Sequence, residues 1–224
     1  MRDTRSTAFP PHLVSHITFD LNTRVMGFND HQKSNIILIG FSTTGKSRAG
    51  WLLAQRLGWA FIDTDVWVAG MAGKSIPDIF KDHGELHFRE LERLALEEAL
   101  MRQQAVIATG GGAVVYQTNR RKMRERGWVV LLEAQPETIL QRMQAEDAGS
   151  EVPIRPLLAG DDPLQRIIEL KMERQPLYDK LADEIIHTDH LTLEEVVDSL
   201  IDRLQRRGLP LFSQGAPGSQ AEAK

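Results

Sequence analysis

The stretch Asn35-Ile36-Ile37-Leu38-Ile39-Gly40-Phe41-Ser42-Thr43-Thr44-Gly45-Lys46-Ser47 decides how the rest of the chain is read. Ile36 to Ile39 is a continuous apolar run, as expected of a strand buried on both faces. Gly40 to Ser47 then fits the pattern G-x-x-x-x-G-K-[ST]. Glycines at Gly40 and Gly45 let the backbone wind around an anion, so that the N–H groups of Ser42, Thr43 and Thr44 can point inward. Lys46 brings a mobile positive charge to terminal phosphates, and the Ser47 hydroxyl is a hard oxygen suited to a magnesium ion. Ala49, Leu52, Leu53 and Leu57 follow at helical spacing, with Gly58 as a stop. A strand before and a helix after are the context such a loop needs, because the helix N-terminus adds its dipole to the anion site.

Working outward, apolar runs at Trp59–Ile62, Ala105–Ala108, Trp128–Leu132 and Glu184–His187 predict four more strands. Between them lie helical patterns. Ser75 is a candidate cap for a short helix, and a longer helix covers Glu85 to Arg102 with Leu86, Leu91, Leu94 and Leu100 as its apolar positions. Thr118 is a candidate cap for a helix ending near Gly127, and Pro136 opens another. A further helix runs to about Gln175, and Thr192-Leu193-Glu194-Glu195 is a capping-box pattern for the last one. Alternating strands and helices predict an α/β fold with a parallel sheet covered on both faces.

Two more elements sit at predicted strand ends. Asp63-Thr64-Asp65 follows the second strand, and i, i+2 side chains share a face if that strand continues. One carboxylate can order magnesium through water, and the other can take a proton from an attacking hydroxyl. Gly110-Gly111-Gly112 follows the third strand and lets a ligand approach the backbone. Strand C-terminal ends line the binding crevice of such sheets.

The composition narrows the classes. The 224 residues are 26% charged with net charge −4, which gives no sign of nucleic-acid binding through charge. With no cysteine, disulfides, thiolate nucleophiles and cysteine-based zinc sites are excluded. His83, His87 and His187 lack metal-ligand spacing. No apolar run is long enough to span a membrane, and the first residues do not read as a secretory signal, so a cytoplasmic protein is expected. Residues 1–34 read as a poorly ordered extension, with Met26 a candidate alternative start, and 208–224 as a flexible tail.

Together with Phe88-Arg89-Glu90-Leu91-Glu92, Arg155-Pro156-Leu157-Leu158 and Arg174-Gln175-Pro176-Leu177-Tyr178, these motifs resemble the shikimate kinase family, in order, from about Asn35 to Gln205. The resemblance implies a P-loop, nucleoside-monophosphate-kinase-like fold: three layers, with a five-stranded parallel sheet. It also implies magnesium-dependent transfer of the ATP γ-phosphate to the 3-hydroxyl of shikimate, in chorismate and aromatic amino-acid synthesis. Asp65 resembles the carboxylate that holds the substrate hydroxyls and serves as base. Arg89 and Arg174 resemble the grip on the substrate carboxylate, and Gly111 and Gly112 the backbone donors. Asp63 resembles the residue ordering the Mg²⁺ shell with Ser47, and Glu92 the one orienting the substrate-side arginine. Arg155 resembles a lid arginine reaching the phosphates, and Arg142 the residue stacking on adenine.

The chain departs from the family pattern twice. Thr43 stands where the loop usually has a further glycine. The lid, about 147–160, is longer and carries Glu146, Asp147 and Glu151 in and around it. A kinase domain over 35–207 acting as a monomer is expected. Gluconate kinase is the nearest enzymatic rival, and a non-catalytic shikimate sensor is the alternative of a different class, although 34 unpatterned leading residues cannot supply a helix-turn-helix module.

Overall fold

Ile36 and Leu38 face one side of a sheet, and Ile37 and Ile39 the other, so the apolar run before the glycine loop is sealed from both directions. In a computed structural model, residues 33–147, 158, 162–209 and 211 are described. Five strands form the sheet: β1 (Asn35–Ile39), β2 (Ala60–Asp63), β3 (Ala105–Ala108), β4 (Gly127–Glu133) and β5 (Glu184–His187). All pairings are parallel, in the order β2-β3-β1-β4-β5. The helices are α1 (Lys46–Leu57), α2 (Thr64–Ala72), α3 (Ile76–Leu100), α4 (Gln117–Arg126), α5 (Pro136–Asp147), α6 (Pro163–Leu181) and α7 (Leu193–Arg206).

On one face, Ala49, Leu53 and Leu57 of α1 pack with Val197, Leu200 and Leu204 of α7 over Ile36, Leu38 and Val130. On the other, Leu96 and Ala99 of α3, Met123 of α4 and Tyr178 and Leu181 of α6 cover Ile37, Ile39 and Leu131. This is the three-layer arrangement implied by the resemblance. Two smaller clusters lie apart from these faces. Phe41 packs with Ile139, Met143, Leu158, Ile167 and Leu170 under the loop after β1. Val68, Ile79, Phe88 and Ala95 join α2 to α3.

The local chemistry explains most boundaries. Gly58 ends α1 in the left-handed region at φ 66°. Thr192 and Glu195 form the expected reciprocal capping box of α7. Four sequence expectations need correction. Asp63 ends β2 and caps α2, so Asp65 lies in a helical first turn and not on a continued strand. Helix α3 is divided by a kink at Gly84 (φ 77°, ψ 177°) into the short helix expected from Ser75 and the longer one expected from Glu85, but the apolar face expected of the longer one is wrong. On its second half Leu86 and Leu94 face outward, 86% and 41% exposed, while Phe88, Arg89, Glu92, Ala95 and Leu96 face in. Helix α4 starts after Tyr116, and Thr118 is not its cap. Helix α6 passes through Pro176 to Leu181 because Tyr178 and Leu181 are buried against the sheet, and that packing outweighs the backbone bond the proline removes.

Candidate active site

The loops after β1, β2 and β3 meet at the C-terminal edge of the sheet. After β1, Gly40 lies at φ 140°, and a Cβ there would come within 2.3 Å of the Leu132 carbonyl oxygen. Only glycine fits. Gly45 (φ 94°) caps α1 without any side-chain hydrogen bond, and the first turn of α1 holds no acidic residue, so no carboxylate of the helix competes with an anion at its N-terminus. Lys46 is buried, and its ammonium folds back to donate to the Phe41 carbonyl at 2.6 Å. The Thr44 hydroxyl donates to the same carbonyl at 3.0 Å.

Thr43, the departure from the family loop, sits in the left-handed region at φ 59°. A β-branched residue is strained there. Its hydroxyl donates to the Ile139 carbonyl of α5 at 3.2 Å, which offsets part of that strain and ties the loop to α5. Arg142, one turn further along α5, donates to the Thr188 hydroxyl at 3.0 Å and to its carbonyl at 2.6 Å. Thr43, Thr44, Arg48, Arg142, Thr188 and Leu193 help line a cavity of about 460 Å³ beside the loop.

After β2, Asp63 does three things at once. Its Oδ1 accepts the N–H groups of Asp65 (2.9 Å) and Val66 (3.4 Å), and its Oδ2 accepts the Ser47 hydroxyl at 2.5 Å. Asp63 and Asp65 are thus brought together by the turn of a helix rather than by strand alternation. Ser47 and Asp63 place two hard oxygens side by side at the foot of the phosphate loop, a donor set that fits Mg²⁺.

After β3, the Gly110 N–H donates to the Thr64 hydroxyl at 3.0 Å. A Cβ on Gly110 would lie 2.5 Å from Glu92 Oε1 and 2.7 Å from Asp65 Oδ1. The missing side chain is what lets both carboxylates close on this point. Neither of those two oxygens has a hydrogen-bond partner, and both are enclosed; Arg174 Nε is likewise enclosed and unpaired. A Cβ on Gly112 would sit 2.2 Å from Arg89 Nη1, so the guanidinium lies directly against that glycine.

Arg89 and Glu92 are 8% and 1% exposed, which separates them from an ordinary helix-surface pair. Arg89 Nη1 donates to Glu92 Oε2 at 2.8 Å, and Nη2 to Glu85 Oε1 at 3.0 Å. Arg174 is 8% exposed and stands over the Phe41 ring, 5.8 Å from its centroid.

The electrostatics follow from this crowding. Burial, then the neighbouring Asp63 and Glu92 charges, push the Asp65 carboxyl up to about 7, against the pull of Lys46 and Arg89. Burial also raises the Glu92 carboxyl, although Arg89 and Arg174 work against it.

The structure therefore brings together Gly40, Ser42–Ser47, Asp63, Asp65, Arg89, Gly111, Gly112 and Arg174 at one edge of the sheet. Arg142 borders the adjoining cavity, with its guanidinium engaged by Thr188. Arg155 and most of the expected lid lie outside the described residues; Leu158 is described and is buried beside Phe41. His83, His87 and His187 are exposed, and among the described residues no cluster of histidines and carboxylates is arranged to hold a metal ion. Sequence reasoning assigned no role to Thr64, Glu85, Thr188 or Tyr178. Only the i, i+4 spacing of Glu85 to Arg89 was a usable signal.

A family model described as shikimate kinase matches residues 42–205. A curated shikimate kinase of Symbiobacterium thermophilum is 42% identical over 174 residues, covering 78% of this chain and 98% of that protein. One of Deinococcus radiodurans is 41% identical over 169 residues, 75% of this chain and 82% of the relative. Among solved structures, a shikimate kinase from Acinetobacter baumannii, in complex with shikimate, superposes with a TM-score of 0.74 at 34% identity, covering 80% of this chain and 97% of that one. One from Aquifex aeolicus gives 0.65 at 33% identity, covering 78% and 98%.

Proposed function

This chain belongs to the shikimate kinase family, and from that premise we infer how its residues divide the work of one reaction. That reaction is transfer of the ATP γ-phosphate to the 3-hydroxyl of shikimate, giving shikimate 3-phosphate, in the pathway to chorismate and the aromatic amino acids. Phosphoryl transfer asks a protein mainly to position groups and to neutralise charge.

The loop Gly40–Ser47 and the open N-terminus of α1 hold the phosphates, with Lys46 released from the Phe41 carbonyl to reach them. The base and ribose occupy the cavity bounded by Thr43, Arg142 and Thr188, where Arg142 forms a wall. Ser47 and Asp63 would hold a magnesium ion, which when bound would shield the phosphate charge. Arg89 and Arg174 grip the shikimate carboxylate; Glu92 keeps Arg89 aimed. The Gly111 and Gly112 N–H groups bind on the substrate side. Asp65 accepts the 3-hydroxyl proton, and a carboxyl raised to about 7 is suited to that step near neutral pH.

One observation carries the substrate side of this reading. Around the glycine triplet, two carboxylate oxygens (Asp65 Oδ1, Glu92 Oε1) lack donors, and one guanidinium nitrogen (Arg174 Nε) lacks an acceptor. Buried polar atoms without partners are costly. A ligand carrying both hydroxyls and a carboxylate supplies each missing partner, and shikimate is such a ligand.

The same reading puts the protein in the cytoplasm as a monomer, with 35–207 as the kinase domain between a 1–34 extension and a 208–224 tail. No described helix is long and apolar enough to cross a membrane. Calorimetric titration tests the substrate assignment. Shikimate should bind, its methyl ester should bind at least about 10-fold more weakly because the arginines lose their anion, and gluconate should not compete. Equal binding of the ester, or tight binding of gluconate, would overturn it.

A further inference from the structure

The backbone that presents the Gly111 and Gly112 N–H groups has no side chains of its own to hold it. Turn bonds within the segment take the Gly110 and Gly112 carbonyls, and side chains from outside take those of Gly111, Ala113, Val114 and Val115. The Asn119 amide donates to the Ala113 carbonyl at 3.0 Å. Arg120 Nη1 donates to the Val114 and Val115 carbonyls at 2.6 and 2.8 Å. The Tyr178 hydroxyl donates to the Gly111 carbonyl at 2.5 Å, across 67 residues of sequence.

The last of these bears on the reaction. The Gly111 carbonyl and the Gly112 N–H belong to one peptide unit. In a planar trans peptide the two groups point in opposite directions, and no cis peptide bond occurs among the described residues. A peptide between two glycines turns over more readily than any other, because no Cβ restricts either flank. Among the described residues, no acceptor takes the Gly112 N–H. Tyr178, by fixing the carbonyl toward α6, turns that N–H away from α6.

Tyr178 is placed to do this reliably. It is 1% exposed, packed with Leu181 and Met123 under the sheet, and one turn of α6 after Arg174. Burial pushes its hydroxyl well above the ordinary phenol range, so it remains a proton donor at any working pH.

We propose that Tyr178 is a positioning residue for the substrate, whose hydroxyl sets the plane of the Gly111–Gly112 peptide and joins the glycine clamp to the Arg174 clamp through one helix. Shikimate therefore meets the arginine and the amide as a single preformed unit. Loss of the hydroxyl frees the peptide to flip, which turns a carbonyl where the substrate needs a donor. The inference rests on the assignment of Gly112 as a substrate donor.

Tyr178→Phe removes one oxygen and keeps every ring carbon. Steady-state kinetics should show the KM for shikimate raised on the order of 10-fold, the usual effect of losing one aligned hydrogen bond plus the orphaning of its partner. The KM for ATP should stay within about 2-fold, because the phosphate loop keeps all its own contacts. Leu181→Ala, in the same apolar cluster, supplies the control for mere destabilisation: it should lower the melting temperature without separating the two KM values. If Tyr178→Phe accumulates poorly, shikimate titration of the folded fraction at low temperature gives the same comparison. An unchanged shikimate KM, or equal rises in both KM values, would overturn the role of Tyr178. Absence of shikimate-dependent turnover in the unmutated enzyme would instead overturn the functional reading on which it rests.

Discussion

Replacing Asp65 by Asn separates the charge of the base from its shape. The carboxyl is lifted from 3.8 to about 7, by burial first and by Asp63 and Glu92 next. Between those two values the folded chain keeps a proton that the unfolded chain has released. Folding therefore takes up a proton in that window, and stability falls as pH rises through it. Below pH 4 both states are protonated and the cost vanishes; above pH 7 it is complete. The rise corresponds to about 4 kcal/mol between the two protonation states. Oδ1 is enclosed but the residue as a whole is partly exposed, so solvent screening reduces the expected figure to about 2–3 kcal/mol. For a domain of this size that is a rise of about 5–10 °C in melting temperature. Scanning calorimetry of the ligand-free proteins should show Asp65→Asn more stable than the parent at pH 8, with the difference shrinking steadily toward pH 4. Turnover should fall at least about 100-fold in the same variant, since the proton acceptor is gone. A variant no more stable at pH 8, or one whose advantage grows in acid, would refute the claim that the site holds an unrelieved carboxylate.

Three further substitutions probe other parts of the site. Glu92→Gln takes the buried carboxylate from Arg89 and leaves the half-exposed Glu85 as its remaining charged partner, so the shikimate KM should rise about 10-fold or more and stability should fall by about 3 kcal/mol; kinetics and urea melts read both. Gly112→Ala drives a methyl against Arg89, 2.2 Å from Nη1; titration should show shikimate affinity reduced about 100-fold with ATP binding retained. Lys46→Met should lower kcat by about 100- to 1000-fold while leaving shikimate affinity within error, which a coupled assay and a titration separate.

What the sequence made legible was local. The phosphate loop, the glycine triplet and the strand runs are contiguous signals, and the capping box at Thr192 names its own helix start. Asp63-Thr64-Asp65 was legible as chemistry but not as geometry. The apolar Val66-Trp67-Val68 that follows suits a strand as well as a helix, and only the capping bonds to Asp63 Oδ1 decide for α2. The buried face of α3 was misread for a related reason. That face carries Arg89 and Glu92, so a search for apolar periodicity picks out Leu86 and Leu94, which face outward. Tyr178 was invisible as a functional residue because its partner is a backbone carbonyl brought near by tertiary packing. Pro176 added to the obscurity by suggesting that α6 had already ended.

The most direct test of the account is the product itself. With the purified chain, MgATP and shikimate, phosphorus NMR should show loss of the ATP γ-phosphate signal and growth of one new phosphomonoester, coupled through phosphorus to the proton on carbon 3. Gluconate in place of shikimate should give no such signal. A spectrum in which ATP is stable with shikimate, hydrolyses only to inorganic phosphate, or phosphorylates gluconate equally well would contradict the assignment.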